Sequence, residues 1–171
     1  MRRNMAQSNF VEFSKPFIDA LIDTFEKMVH TEIKPHNPKI KTTSVARGDI
    51  TAIIGMNGTV EKDGQIKDFK GLLALSWPEP VYVTLAGRML FEEYEEYNDE
   101  ISDSGAEIAN IVMGNAKGHL ANIGYKIGMA SPTSIRGAGH EIKYPPNTTV
   151  IEITIGTDIG DFCLEICYQE A

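Results

Sequence analysis

Cysteine is scarce in this sequence of 171 residues, which contains two, Cys163 and Cys167. So few cysteines exclude a fold that is held together by a disulfide framework. Both lie in a predicted strand, where residues four apart point to the same side about 13 Å from each other, too far for a disulfide bond. We therefore expect two reduced, buried thiols in a chain that is long enough to bury a core without cross-links.

Basic charge and long apolar runs are also lacking. The 16 lysine and arginine residues are outnumbered by 24 acidic residues, which gives a formal net charge of −8 and a pI near 5.0. This balance argues against nucleic acid or an anionic membrane surface as the main partner. No apolar stretch reaches the length of a membrane span, and no secretory signal pattern opens the chain. The sequence predicts a cytoplasmic protein that binds neither nucleic acid nor membranes.

The spacing of apolar residues predicts an α+β fold in one domain, residues 1–171. Ser14 is placed to cap a first helix that carries Pro16 in its first turn. Strands rich in β-branched residues outnumber helices, which favours a mostly antiparallel sheet with two long helices packed on one face. The other predicted elements are a three-strand meander of 33–45, 49–60 and 69–77, helices at 81–93 and 101–123 with an acidic link at 92–100, an extended stretch at 125–135, and a hairpin of 149–155 with 161–168.

The predicted helix at 101–123 has two different faces. One face is assigned to the core and consists of Gly105, Ile108, Ala109, Val112, Ala116, Leu120 and Ile123. The opposite face carries Glu107 and Asn110, an acid and a carboxamide that can act together on something outside the helix. Gly114 on that side costs about 1 kcal/mol relative to alanine, so we expect close contact with another protein to compensate. Ile111 is predicted to be exposed beside the pair.

Each of these residues also has a simpler interpretation. Ser104 followed by Glu107 is a capping-box pattern, in which the glutamate only secures the start of the helix. Asn110 can be an ordinary solvated side chain, and Ile111 an ordinary exposed apolar residue. A second acid-x-x-Asn pattern occurs at 95–98 in the acidic link, so the bare pattern is not specific.

Three longer segments resemble the CheC/CheX/FliY family of phosphatases. They are 15–20 (KPFIDA), 71–78 (GLLALSWP) and 107–117 (EIANIVMGNAK). The signature of that family is an Asp or Ser, then Glu, Asn and a more distant Pro, and it is matched by Asp103, Glu107, Asn110 and Pro132. CheC-like members carry the motif on two pseudo-symmetric helices, whereas a single copy is the CheX pattern. The resemblance therefore implies a CheX-like domain with the pseudo-symmetric architecture of the family.

The resemblance also implies a function, a phosphatase acting on the phosphoaspartate of a CheY-like response regulator. The regulator would supply Mg²⁺ and a lysine, so no cofactor is expected in this chain. Asn110 would orient the attacking water and Glu107 would pair with the regulator's lysine. Asp103, Ile111 and Gly114 are expected to contact the regulator around this pair. CheX relatives are homodimers joined through sheet edges, which predicts a homodimer here.

The alternative function is a non-catalytic binding module of the same fold, as in the related domain of the flagellar switch protein FliM. The presence of Glu107, Asn110 and Pro132 favours the phosphatase. Other chemistry has less support, because the four histidines lack metal-ligand spacing and no serine has the context of a hydrolytic triad. Met113 and Met129 are assigned to the core.

Overall fold

The fold is described from a computed structural model, which covers the backbone of residues 2–128 and 130–170 and the side chains of residues 10–128 and 130–170. The described residues form three helices, α1 (Arg2–Met28), α2 (Glu79–Leu90) and α3 (Ser104–Asn122). They also form eight strands: β1 (Lys34–Pro35), β2 (Lys39–Ile40), β3 (Ile50–Lys62), β4 (Gln65–Trp77), β5 (Tyr125–Ile127), β6 (Thr133–Arg136), β7 (Val150–Gly156) and β8 (Phe162–Glu170). Met113 is buried as predicted, and Met129 lies outside the described residues.

The strands of the described chain form one antiparallel sheet. Its order is β1-β7-β8-β4-β3-β5, with β2 also paired to β7 and β6 also paired to β3. A tight turn at Asp63 and Gly64, with φ of 53° and 75°, joins β3 to β4. Two successive positive φ angles give a turn whose twist matches that of a hairpin. The α+β class, the antiparallel sheet and the hairpins β3–β4 and β7–β8 confirm the sequence predictions.

The predicted strand at 33–45 is wrong. This segment contains only the short strands β1 and β2, and both pair with β7, at the opposite edge of the sheet from β3. Pro35 and Pro38 interrupt the segment, and proline has no N–H to donate to a strand ladder. The predicted meander is therefore reduced to the β3–β4 hairpin, and β3 pairs on its other side with β5 and β6.

The first helix begins well before the cap predicted at Ser14. The Ser14 hydroxyl donates to the carbonyl of Val11 one turn earlier, and Pro16 lies inside α1. The apolar stripe continues towards the N-terminus, because Phe13 is fully buried one turn before Phe17. The Phe13 ring also contacts Tyr168, with centroids 4.5 Å apart. Burial of this aromatic side chain offsets the backbone hydrogen bond that Pro16 removes.

The main core lies between the sheet and the two long helices. α1 and α3 pack against each other on one face of the sheet, as predicted. Alternation along the strands directs every second residue to these helices, so Ile54, Leu73 and Leu164 are fully buried. α2 adds Val81 and Leu85 to the same core.

The opposite face of the sheet, which we call the second face, carries a smaller apolar cluster that includes Leu72, Ile142 and Val150, and it is covered by loop segments. Glu165 on β8 is fully buried there, and Lys41 and Tyr144 reach it from the covering segments. The Lys41 Nζ lies 2.5 Å from Glu165 Oε1 and donates to the Tyr144 hydroxyl at 2.6 Å, while that hydroxyl donates to the same carboxylate oxygen. Lys41 and Glu165 are buried and Tyr144 is half-buried, and we call these three residues the buried trio.

The two cysteines also lie on the second face, on either side of Glu165 along β8. Both are buried free thiols, as the sequence predicts. Burial raises the pKa of the Cys163 thiol to about 12 and that of the Cys167 thiol to about 11. Both thiols therefore stay protonated and unreactive near neutral pH while this face remains covered.

Candidate functional site

The candidate site lies on α3, whose observed span of 104–122 is close to the predicted 101–123. Asp103 occupies the N-cap position, but its side chain makes no capping hydrogen bond within the described chain. Ser104 is already helical, and the Glu107 N–H donates to the Asp103 carbonyl at 2.9 Å. A capping box needs the glutamate three residues after the cap, and Glu107 comes one residue later. The capping-box interpretation of Ser104 and Glu107 is therefore wrong.

The two faces of α3 are divided as the helical wheel predicts. Ile108, Ala109 and Val112 are at most 2% exposed and pack in the main core. Gly105, Ala116 and Leu120 are buried as well, and Ile123 is half-buried against the same core. Glu107 and Asn110 are exposed on the opposite side. The sequence pattern thus identifies which side of this helix faces solvent.

Glu107 and Asn110, which we call the exposed pair, lie one turn apart on the helix surface. Neither side chain has a hydrogen bond or an ion pair with another residue of the described chain. A carboxylate only accepts hydrogen bonds, whereas a carboxamide both donates and accepts. The two groups are therefore available, in a fixed spacing, to a second molecule that approaches α3.

Gly114 and Gly118 leave bare backbone further along the exposed side of α3. A Cβ added at either position would meet no atom of the described residues within 4 Å. Intramolecular packing therefore does not require glycine at these two positions. Glycine in a helix interior costs about 1 kcal/mol of helix stability relative to alanine. No contact within the described residues explains why glycine occupies these two positions.

Ile111 is half-buried, whereas the sequence predicted it to be exposed. β5 and β6 lie close to α3, and a helical wheel takes no account of strands contributed by later sequence. Pro132 is also half-buried, one residue before β6. The exposed apolar surface beside Glu107 is accordingly smaller than predicted.

The start of α3 makes a contact that the sequence patterns do not reveal. Tyr82 on α2 is 3% exposed, and its hydroxyl accepts a hydrogen bond from the Gly105 N–H at 2.9 Å. The same hydroxyl donates to the Ile101 carbonyl at 2.6 Å. A buried tyrosine must find a partner for its hydroxyl, but the sequence alone does not indicate which partner.

The described residues contain no cluster of three or more His, Cys, Asp or Glu side chains that could hold a metal ion. None of the helices in the described ranges is long and apolar enough to cross a membrane. In the first two turns of α3, the exposed pair offers a carboxylate and an amide.

The candidate site lies in a region of the chain that matches a known protein family. Residues 50–156 match the family described as chemotaxis phosphatase CheX. The matched region runs from β3 to β7 and includes Glu107, Asn110 and Pro132. No curated protein sequence matches the chain.

Solved structures show the same fold over nearly the whole chain. A CheC-like superfamily protein from Shewanella sp. PV-4 is 31% identical, with a TM-score of 0.80 over 93% of this chain and 98% of its own. The chemotaxis protein CheX from Desulfovibrio desulfuricans is 26% identical, with a TM-score of 0.80 over 92% of this chain and 99% of its own. The CheX-CheY-BeF3-Mg complex from Borrelia burgdorferi matches at 20% identity and a TM-score of 0.72, over 92% of this chain and 97% of its own, a likeness of fold alone. The family match extends over more than half of the sequence, and the chain therefore belongs to the CheX family of chemotaxis phosphatases.

Proposed function

We propose that this protein hydrolyses the phosphoaspartate of a CheY-like response regulator. The observation that carries the proposal is the exposed pair, a carboxylate and an amide one turn apart on α3 with no partner in the described chain. Membership of the CheX family supports a phosphatase. A related CheX from Borrelia burgdorferi forms a complex with CheY, which supports a CheY-like regulator as the partner.

Asn110 would act on the attacking water. Hydrolysis of an acyl phosphate needs a water held in line with the leaving carboxylate, while cations neutralise charge on the phosphoryl oxygens. The water oxygen bonds to phosphorus, the bond to the aspartate oxygen breaks, and the products are inorganic phosphate and a free carboxylate. An amide is a poor base, so Asn110 would align the water rather than deprotonate it. Alignment of this kind can supply a large part of a rate enhancement.

Glu107 would bind the lysine of the regulator's phosphorylation site. A hydrogen bond between a carboxylate and an ammonium group is stronger than a neutral one, and it gains further strength when the interface excludes water. Because Glu107 and Asn110 are on adjacent turns of one helix, anchoring the first fixes where the second lies. The regulator supplies both the lysine and Mg²⁺, and this chain contributes no cofactor.

The docking surface would extend from the exposed pair to Asp103, Ile111 and Gly114. Asp103 is exposed at the N-cap of α3, one turn before Glu107. Gly114 lies one turn beyond Asn110 with open space above it, which allows the regulator's backbone to approach closely. Ile111, although half-buried, provides apolar contact between them.

The protein would act in the cytoplasm as a homodimer joined through sheet edges. Edge strands present unpaired backbone groups that need cover, and Ile40 on the edge strand β2 is 65% exposed. Sedimentation should show a dimer at micromolar concentration. A stable monomer at that concentration would remove this part of the proposal.

Release of inorganic phosphate from a phosphorylated CheY-type receiver tests the proposed activity directly. The purified protein should accelerate release well beyond the regulator's own rate in Mg²⁺ buffer. Asn122→Ala serves as a matched control, because Asn122 is an exposed asparagine at the far end of the same helix. A protein that binds the receiver without accelerating release would instead be a non-catalytic module.

A further inference from the structure

We propose that Tyr82 is a positioning residue for the exposed pair, because its hydroxyl caps the start of α3 and thereby fixes the helix that carries Glu107 and Asn110. The catalytic consequence rests on the proposed phosphatase function. The capping itself does not, since it concerns contacts within this chain.

The Tyr82 hydroxyl does for α3 what an N-cap side chain does for most helices. The first N–H groups of a helix lack intrahelical partners, and an N-cap side chain usually accepts from the second or third of them. Asp103 at the N-cap makes no such bond within the described residues. Gly105, the second residue of the helix, instead donates to the Tyr82 hydroxyl at 2.9 Å. The cap is thus supplied by a neighbouring helix.

The same hydroxyl also holds the turn that leads into α3. It donates to the Ile101 carbonyl at 2.6 Å and lies 3.2 Å from the Ser102 carbonyl oxygen. Burial raises the pKa of the Tyr82 phenol to about 12, more than the hydrogen bond from Gly105 lowers it. The O–H therefore keeps its proton and its donated bond at any pH near neutrality.

Close packing leaves the capped turn little freedom to move. The Tyr82 ring contacts the rings of Trp77 and Tyr97, with centroids 5.5 Å and 5.9 Å away. A Cβ on Gly105 would lie 2.9 Å from the Trp77 ring and 3.0 Å from the Tyr82 ring. The backbone of α3 thus rests directly on two buried aromatic rings, and Tyr82 both supports it and binds it.

This anchor lies next to the residues that are proposed to act on the regulator. Glu107 follows Gly105 within the first turn, and Asn110 is on the next turn. Loss of the hydroxyl leaves the buried Gly105 N–H without a partner, so the first turn must shift or open to reach water. A displacement of about 1 Å in a positioned group can cost about 100-fold in rate.

Tyr82→Phe tests the catalytic consequence, because it keeps the ring and removes only the hydroxyl. We expect kcat to fall by about tenfold or more, with the regulator concentration for half-maximal rate changed much less, since the docking surface remains. Tyr97→Phe is the matched control. It removes a hydroxyl from the same aromatic cluster, but Tyr97 has no hydroxyl hydrogen bond with the described residues. Ile153→Val, a core change on β7, controls for a general loss of stability.

Amide hydrogen exchange tests the cap without any regulator. In Tyr82→Phe, exchange at residues 104–107 should accelerate by about tenfold or more over wild type and Tyr97→Phe, with the β3–β4 hairpin unchanged. Unchanged exchange at these amides would contradict the proposal that the Tyr82 hydroxyl caps α3, whatever the phosphatase assay shows. If the wild type is active and Tyr82→Phe has the same kcat, Tyr82 does not position Glu107 and Asn110. A wild type that does not accelerate phosphate release overturns the proposed function and its catalytic consequence, while exchange still decides the cap.

Discussion

The exposed pair and the buried trio are both polar, but their hydrogen bonds are satisfied in opposite ways. Glu107 and Asn110 have no partner within the described chain, whereas the buried Lys41 and Glu165 bind each other and the half-buried Tyr144. Removal of an exposed, unpaired side chain should leave folding unaffected, and removal of one member of a buried set should not. This comparison separates side chains that are available to bind another protein from side chains that stabilise the fold of this one.

The largest expected effect is on folding and comes from Lys41→Met. The Glu165 carboxylate would remain buried without its cation, which typically costs about 3–5 kcal/mol of unfolding free energy. Urea denaturation followed by circular dichroism would measure this loss. Alkylation of Cys163 and Cys167 should accelerate in the same variant, because both thiols are protected only while the second face stays covered.

Two further variants sharpen this first prediction. Lys41→Met combined with Glu165→Leu removes both charges and should recover much of the lost stability. Lys15→Met breaks an exposed ion pair with Asp19 of similar length, 2.8 Å, and should have little effect. If Lys41→Met alone has the wild-type free energy of unfolding, the buried trio does not stabilise the packing of the loops on the sheet.

The next largest effect is on activity and comes from Asn110→Ala. Loss of the amide that aligns the water should reduce assisted dephosphorylation by about 100-fold or more, the usual effect of removing one preorganised group. The free energy of unfolding should stay within about 0.5 kcal/mol of wild type, because the side chain is exposed. A variant that keeps the wild-type rate would show that another group positions the water.

A smaller effect is expected for Glu107→Ala, mainly on docking. The regulator concentration for half-maximal rate should rise, since the carboxylate would lose its contact with the regulator's lysine. A double-mutant cycle with that lysine should give a coupling energy of about 1.5 kcal/mol or more. Additive effects of the two changes would contradict the pairing.

The smallest effects are expected at the edge of the docking surface. Ile111→Lys and Gly114→Leu should raise the half-maximal regulator concentration by a few-fold while leaving kcat nearly unchanged. Gly114→Leu should also stabilise the helix by up to about 1 kcal/mol, so weaker docking could not be attributed to unfolding. Gly118→Leu is the matched control, since Gly118 is equally open one turn further along. Unchanged kinetics at both Ile111 and Gly114 would place the contact surface elsewhere on α3.

Local patterns predicted the parts of this fold that are built from nearby residues. The β3–β4 and β7–β8 hairpins, the two faces of α3 and the exposed positions of Glu107 and Asn110 follow from periodicity and turn residues. The function was predicted from the family resemblance, because the spacing of two exposed residues alone did not distinguish a site from a solvated surface.

The parts that were missed depend on distant residues. β1 and β2 pair with β7, and Lys41 meets Glu165, across most of the sequence. Ile111 is half-buried on a helix that lies close to the later strands β5 and β6, and Gly105 bonds to a side chain of the preceding helix. A helical wheel or a strand pattern contains none of this information, because each contact depends on tertiary packing.

The sheet order also has a consequence for the course of folding. The β3–β4 and β7–β8 hairpins each join neighbouring segments of the chain, so each can form on a timescale of microseconds. Pairing of β4 with β8 brings together strands from distant parts of the chain, and the long loop that closes has a large entropic cost. That step should therefore limit the folding rate, and α3, whose sequence lies between the two hairpins, would reach its final position only when they join.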